Sequence, residues 1–130
     1  MKDNSIIIGK YIKQFLLANE NIFNQVNGTI NSWVVPNNTP FPYIIFYRTS
    51  VTPIYTKDGL LCSEVNFDID VIHNNYDIGV EIANEVRNTL ENKNFKDDII
   101  NIKHITLTNI SESFQYDSFV QKLSFKTQAR

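Results

Sequence analysis

The sequence predicts an α+β domain, an antiparallel or mixed sheet of about five strands with two helices packed on one face and a long protruding β-hairpin. Three observations carry this. Residues 62–72 alternate, with Val65, Phe67, Ile69 and Val71 on one side and Glu64, Asn66, Asp68 and Asp70 on the other, the period of a strand with one face in a core. Residues 76–90 place Ile78 or Gly79, then Ile82, Ala83, Val86 and Leu90, on one helical stripe. Between two β-rich runs stands Asp58-Gly59, a pair that supplies the positive φ angles of a tight hairpin turn.

The elements follow in order. Residues 4–18 set Ile8, Tyr11, Ile12 and Phe15 at helical spacing, with Lys10, Lys13 and Gln14 opposite and Asp3, Asn4 or Ser5 as a cap. Gly9 costs that helix about 1 kcal/mol relative to alanine, so close packing is the expected reason for it. Burial continues through Ile22, Phe23 and Val26 until Asn27-Gly28 breaks the chain. A short strand over 29–35 leads into a loop at 36–42, where three prolines remove ladder donors. If the strands at 43–52 and 62–72 run up to the turn, each is about 13 residues long, more than twice the usual length. Such a ribbon projects from the domain, and its edges suit pairing with another subunit. The core is expected on Ile45, Phe67, Ile69, Ile82 and Val86, and two last strands, 100–110 and 117–127, flank a loop from Ser111 to Ser118.

With 130 residues and 42% hydrophobic content, the chain is expected to form one domain, 1–130. Its longest apolar runs are far shorter than the roughly 20 residues of a membrane-spanning helix. The start, Met1 to Ser5, lacks the pattern of an export signal. Cys62 is the single cysteine, so stability is expected from packing in a reducing compartment. A formal charge of -2 argues against a dedicated nucleic-acid binder.

Chemistry is sparse. The sequence has no phosphate-binding glycine loop, no Cys-x-x-Cys, no His-Glu-x-x-His and no Gly-x-Ser-x-Gly. His73, His104, Cys62 and Asp70 could meet around a metal only without any ligand-pair spacing to support it. Glu64, Asp68 and Asp70 could serve as an acid/base pair or cation site, against the plainer reading of a solvated strand face. Asp77, Glu81 and Glu85 form an acidic stripe at i, i+4, i+8, either solvated or facing a basic neighbour carrying residues such as Lys93, Lys96, Lys122 and Lys126. Trp33, Tyr55 and Tyr116 read as core or loop-anchoring residues. The sequence therefore gives no catalytic residue, cofactor or metal, and the expected mode of action is through surfaces.

Taken together, the amphipathic N-terminal helix, the Pro-rich loop into Pro42-Tyr43-Ile44-Ile45-Phe46-Tyr47, the strand Val65 to Val71 and the helix Tyr76 to Leu90 resemble the tail-terminator or tail-completion (head-tail joining) proteins of tailed bacteriophages. The resemblance spans nearly the whole chain. It implies a structural virion protein, made in the bacterial host cytoplasm and located at the head-tail interface, that forms a ring, commonly a hexamer. The ring would terminate the tail tube and join it to the head connector, with no enzyme activity and no membrane. The implied partners are further copies of the chain, the tail tube protein and connector proteins, and DNA would pass through without sequence-specific binding. Implied assembly contacts fall on the hairpin tip (Tyr55, Lys57, Asp58, Gly59), the 111–118 loop (Phe114, Tyr116) and the helix stripe (Asp77, Glu81, Glu85). Two other readings stay open: another neck or connector ring protein, or a small nucleic-acid-binding or regulatory domain using Tyr43, Phe46 and Tyr47 as a stacking platform.

Overall fold

Two long β-ribbons lie side by side and give the molecule its frame. The structure, a computed structural model, describes residues 3–130; Met1 and Lys2, the start of the segment read as lacking an export signal, lie outside the described residues. The strands are β1 (Ile30–Ser32), β2 (Tyr43–Thr56), β3 (Gly59–His73), β4 (Phe95–Lys96), β5 (Asn101–Gln115) and β6 (Ser118–Ala129). They form one sheet in the order β1-β2-β3-β6-β5-β4, antiparallel throughout except for the parallel pair β1–β2. The ribbons β2–β3 and β5–β6 join through β3 and β6, whose register runs from Ser63 opposite Ala129 to His73 opposite Phe119.

The alternation of β3 sets the inward face. Val65, Phe67, Ile69 and Val71 are buried, and Leu123 and Phe125 of β6 lie opposite Ile69 and Phe67. The Phe67 and Phe125 rings stack at 5.4 Å. On this face pack α1 (Ile8–Leu17), entered through a 3-10 turn at Ser5–Ile7, then α2 (Glu20–Val26) and α3 (Tyr76–Leu90). Gly9 is explained by packing, because a Cβ there would come within 3.2 Å of the Phe46 ring. Across α1, Tyr11 and Phe15 meet Phe95 of β4 at 5.4 and 5.2 Å, so both ends of the strand order reach the same helix and the sheet curls around it. Asn19 ties the helices together: its carbonyl caps α2 by accepting from Ile22 N at 3.2 Å, and its amide donates to Thr89 Oγ1 at 2.9 Å.

Several expectations need correction. Among the described residues the sheet has six strands and there are three α-helices, because Glu20 to Val26, expected only as continued burial, is a capped helix. Only Ile22 and Val26 of that segment are buried; Phe23 is exposed. The first strand stops at Ser32, since Trp33 takes a left-handed φ of 65° and turns the chain out. Ile45 is half-buried on the opposite face of the sheet, and its neighbours Ile44 and Phe46 supply the core there. An unbroken apolar run such as 43–47 carries no alternation from which to read that phase. The Ser111 to Ser118 segment is no loop but the end of the second ribbon.

Candidate assembly surfaces

The first ribbon outruns its neighbour. Pro53 pairs with Ser63 and Ser63 with Ala129, where β6 ends. Residues 54–62 continue without a third strand, a projection of roughly 10 Å at the usual rise per residue. The turn at Lys57-Asp58 leaves the positive φ, 114°, to Gly59 alone, and Thr56 Oγ1 closes it by donating to Gly59 O at 3.2 Å. Tyr55 is 69% exposed on this tip and Leu61 is also exposed; Lys57 and Asp58 point no side chain into the core.

The second ribbon ends at the other end of the sheet, beside His73. Tyr116 and Asp117 hold φ of 52° and 56°, the two left-handed residues of a type I′ turn. Neither is glycine or asparagine, so the turn carries about 1–3 kcal/mol of backbone cost per strained residue. Tyr116 is 95% exposed and Phe114 62% exposed, although Phe114 leans on Phe119 at 4.9 Å and Phe119 on Tyr76 at 5.2 Å. Glu112 beneath them accepts from Gln121 Nε2 at 3.0 Å and from Tyr76 OH at 2.8 Å, and these donors hold its carboxyl below the ordinary range. Of the two readings, core or loop-anchoring, the core one does not hold for Tyr55 and Tyr116; Trp33 is exposed too but anchors its loop by stacking on Tyr47 at 4.7 Å.

The helix stripe turns away from the sheet. Asp77 and Glu81 are exposed, and Glu85 is half-buried, accepting from Asn19 Nδ2 at 3.3 Å. Among the described residues the sole ion pair is Arg87–Glu91 at 2.9 Å, so the stripe has no cation beside it. Lys93 lies over the Phe15 ring at 4.6 Å, and Lys122 lies over the Tyr47 ring at 5.6 Å on the outer face of the sheet.

That outer face carries the carboxylates of β3. Asp68 and Asp70 stand opposite Ser124 and Lys122, and Glu64 opposite Gln128. An open groove of about 490 Å³ on this face takes in Asp70 with Tyr43, Lys122 and Glu112, but neither Glu64, Asp68 nor His73. Cys62 and His73 sit near opposite ends of β3, and His104 lies out on β5 at a bulge with φ 45°, so the residues considered for a metal do not converge. The stacking platform also fails: Phe46 faces the core, whereas Tyr43 and Tyr47 face outward. Burial pushes the Asp70 carboxyl up, against the pull of the Lys122 charge and the Tyr47 hydroxyl, which donates to Oδ2 at 3.2 Å. A carboxyl raised in the folded state binds protons better there, so its charge costs stability above that range and nothing below the unfolded value. Asp70→Asn is therefore expected to raise the melting temperature slightly at pH 7. The gain should shrink as pH falls through the folded pKa and vanish in acid; a gain that persists in acid contradicts the assignment.

A chain from the virion of a native gene transfer agent particle superposes with a TM-score of 0.80 at 16% identity, over 91% of this chain and 90% of that one. At that identity the likeness establishes the shared fold. The sequence pattern of the family described as tail completion protein gp17 matches residues 10–129. The chain belongs to this family. It is therefore a structural protein of the phage tail, as the resemblance of its helices and strands implies. A second solved structure aligns with this chain at a TM-score of 0.60 and 12% identity, over 96% of this chain and 92% of its own. No curated protein matches the sequence. No helix among the described residues is long and apolar enough to cross a membrane.

Proposed function

We propose that the chain assembles as a ring of six copies at the head-tail interface, ending the tail tube on one side and meeting the head connector on the other, with DNA passing through its channel unread. The observation that carries this reading is the pair of ribbon tips at opposite ends of one sheet, residues 54–62 at one end and 116–117 at the other. Each tip exposes an aromatic residue to solvent, Tyr55 and Tyr116. A joining protein needs contacts at two ends, and a monomer gains nothing from such projections. The family match and the fold shared with a chain of a gene transfer agent virion support a place in the particle, and the formal charge of -2 suits a channel wall that does not grip DNA.

Backbone strain at an exposed aromatic turn separates contact from stability. Replacing Tyr116 by glycine removes the left-handed penalty and should stabilise the free protein by about 1 kcal/mol. The same change should lower incorporation into tails, because the lost side chain touches nothing that the fold depends on. Thermal unfolding and incorporation measured on one preparation check both halves. Full incorporation by the glycine variant would remove the second tip from the contact set.

A further inference from the structure

An apolar groove runs along α1 where the helix crosses the β1–β2 end of the sheet. Ile6, 63% exposed, with Ile7, Leu17 and the rim of Phe46, makes its floor, and Lys10 and Lys13 line it; its volume is about 620 Å³. Three consecutive isoleucines, Ile6 to Ile8, lead into α1, and a helical turn can point only one of them inward; Ile8 takes the core and leaves Ile6 and Ile7 outside. Lys10 lies over the Tyr11 ring at 5.9 Å, and among the described residues neither lysine stands within 4.0 Å of a carboxylate oxygen.

The complementary surface lies on α3, which packs over β3, β6 and β5. Its exposed face carries Val80 between Asp77 and Glu81, with Tyr76 and Ile110 of β5 also exposed nearby. Asp77 and Glu81 stand four residues apart and Lys10 and Lys13 three apart, so both pairs span about one turn, with about 5–6 Å between their Cβ atoms. The charges are opposite, and the apolar groups lie beside them on both helices.

We propose that these two surfaces bind each other between successive copies of the chain: the exposed face of α3 of one copy lies in the α1 groove of the next, Val80 on Gly9 and the rim of Phe46, with Asp77 and Glu81 facing Lys13 and Lys10. The occupant is a second copy because one chain supplies both halves of the match and cannot join them within itself. The surfaces differ, so the contact is head-to-tail, and a rotation that closes uses every copy of each surface. The inference rests on the ring reading above and names its subunit contact.

Charge reversal tests it. One variant is Lys10→Glu with Lys13→Glu, and the other is Asp77→Lys with Glu81→Lys. The number of copies joined to assembled tails is counted by mass, and circular dichroism confirms that each variant is folded. Alone, each variant should lose about tenfold or more in incorporation, because like charges then meet at every contact. An equimolar mixture should recover it, since around a ring of even number the two variants can alternate, each reversed groove then meeting a reversed helix and each native groove a native helix, always of opposite charge. If a double variant melts early, the single changes Lys13→Glu and Glu81→Lys carry the same test. Normal incorporation of either folded variant alone, or a mixture that stays out while the wild type enters, overturns the contact. A wild type that joins tails as a single copy contradicts the ring reading instead.

Discussion

Replacing Phe125 by alanine is expected to destabilise the protein by about 3–5 kcal/mol, the range for removing a buried aromatic ring. The ring is 1% exposed, lies on the central strand β6, and stacks on Phe67 of the neighbouring strand. No loop at that position can collapse into the space, because β3 and β5 flank β6 on either side. Set against the 5–15 kcal/mol that holds a typical domain, such a loss removes a large part of the total. Denaturant unfolding with an unchanged slope and a shifted midpoint is the expected record. A shift worth less than about 1 kcal/mol would mean that the two ribbons are not joined through this ring pair.

Shortening the first ribbon, with residues 54–62 replaced by a tight two-residue turn that joins Pro53 to its partner Ser63, is expected to abolish assembly while leaving the melting midpoint nearly unchanged. The removed residues lie beyond the last β3–β6 pair, Ser63 with Ala129, and among them none is buried. Ile44, Phe67, Ile69, Ile82 and Val86 stand away from the tip and keep their packing. A core defect would lower thermal stability first and assembly only as a consequence, so the two measurements on one protein separate contact from fold. Normal incorporation by the folded short form would remove the ribbon from the assembly contacts.

The parts that could be read from the sequence were those in which a period was visible. The strict alternation from Val65 to Val71 gave the face of β3, and the stripe from Gly79 to Leu90 gave α3 over the residues it occupies. The length of the first ribbon followed from the position of Gly59 between two β-rich runs. Where no period is present, the pattern leaves the inward face open. In Tyr43 to Tyr47 every residue is apolar or aromatic, so composition alone points Ile45 inward, whereas the pairing of Ile44 with Val71 puts Ile44 there. The Ser111 to Ser118 segment is polar and turns at Tyr116-Asp117, without the glycine or asparagine that usually marks such a turn. Residue type alone reads Tyr55 and Tyr116 as core or loop-anchoring, while the family resemblance puts both among the assembly contacts; their exposure follows from strands that run past their neighbours. The groove along α1 needs the curl of the sheet, which no local pattern encodes.

The most direct test of the assembly account is the number of copies of this chain at the end of one tail. Mass measurement of isolated tails, with and without the protein, gives that number directly. Six copies in a closed ring, present only when the tube has ended, is the expected result; one copy per tail, or copies spread along the tube, would contradict it.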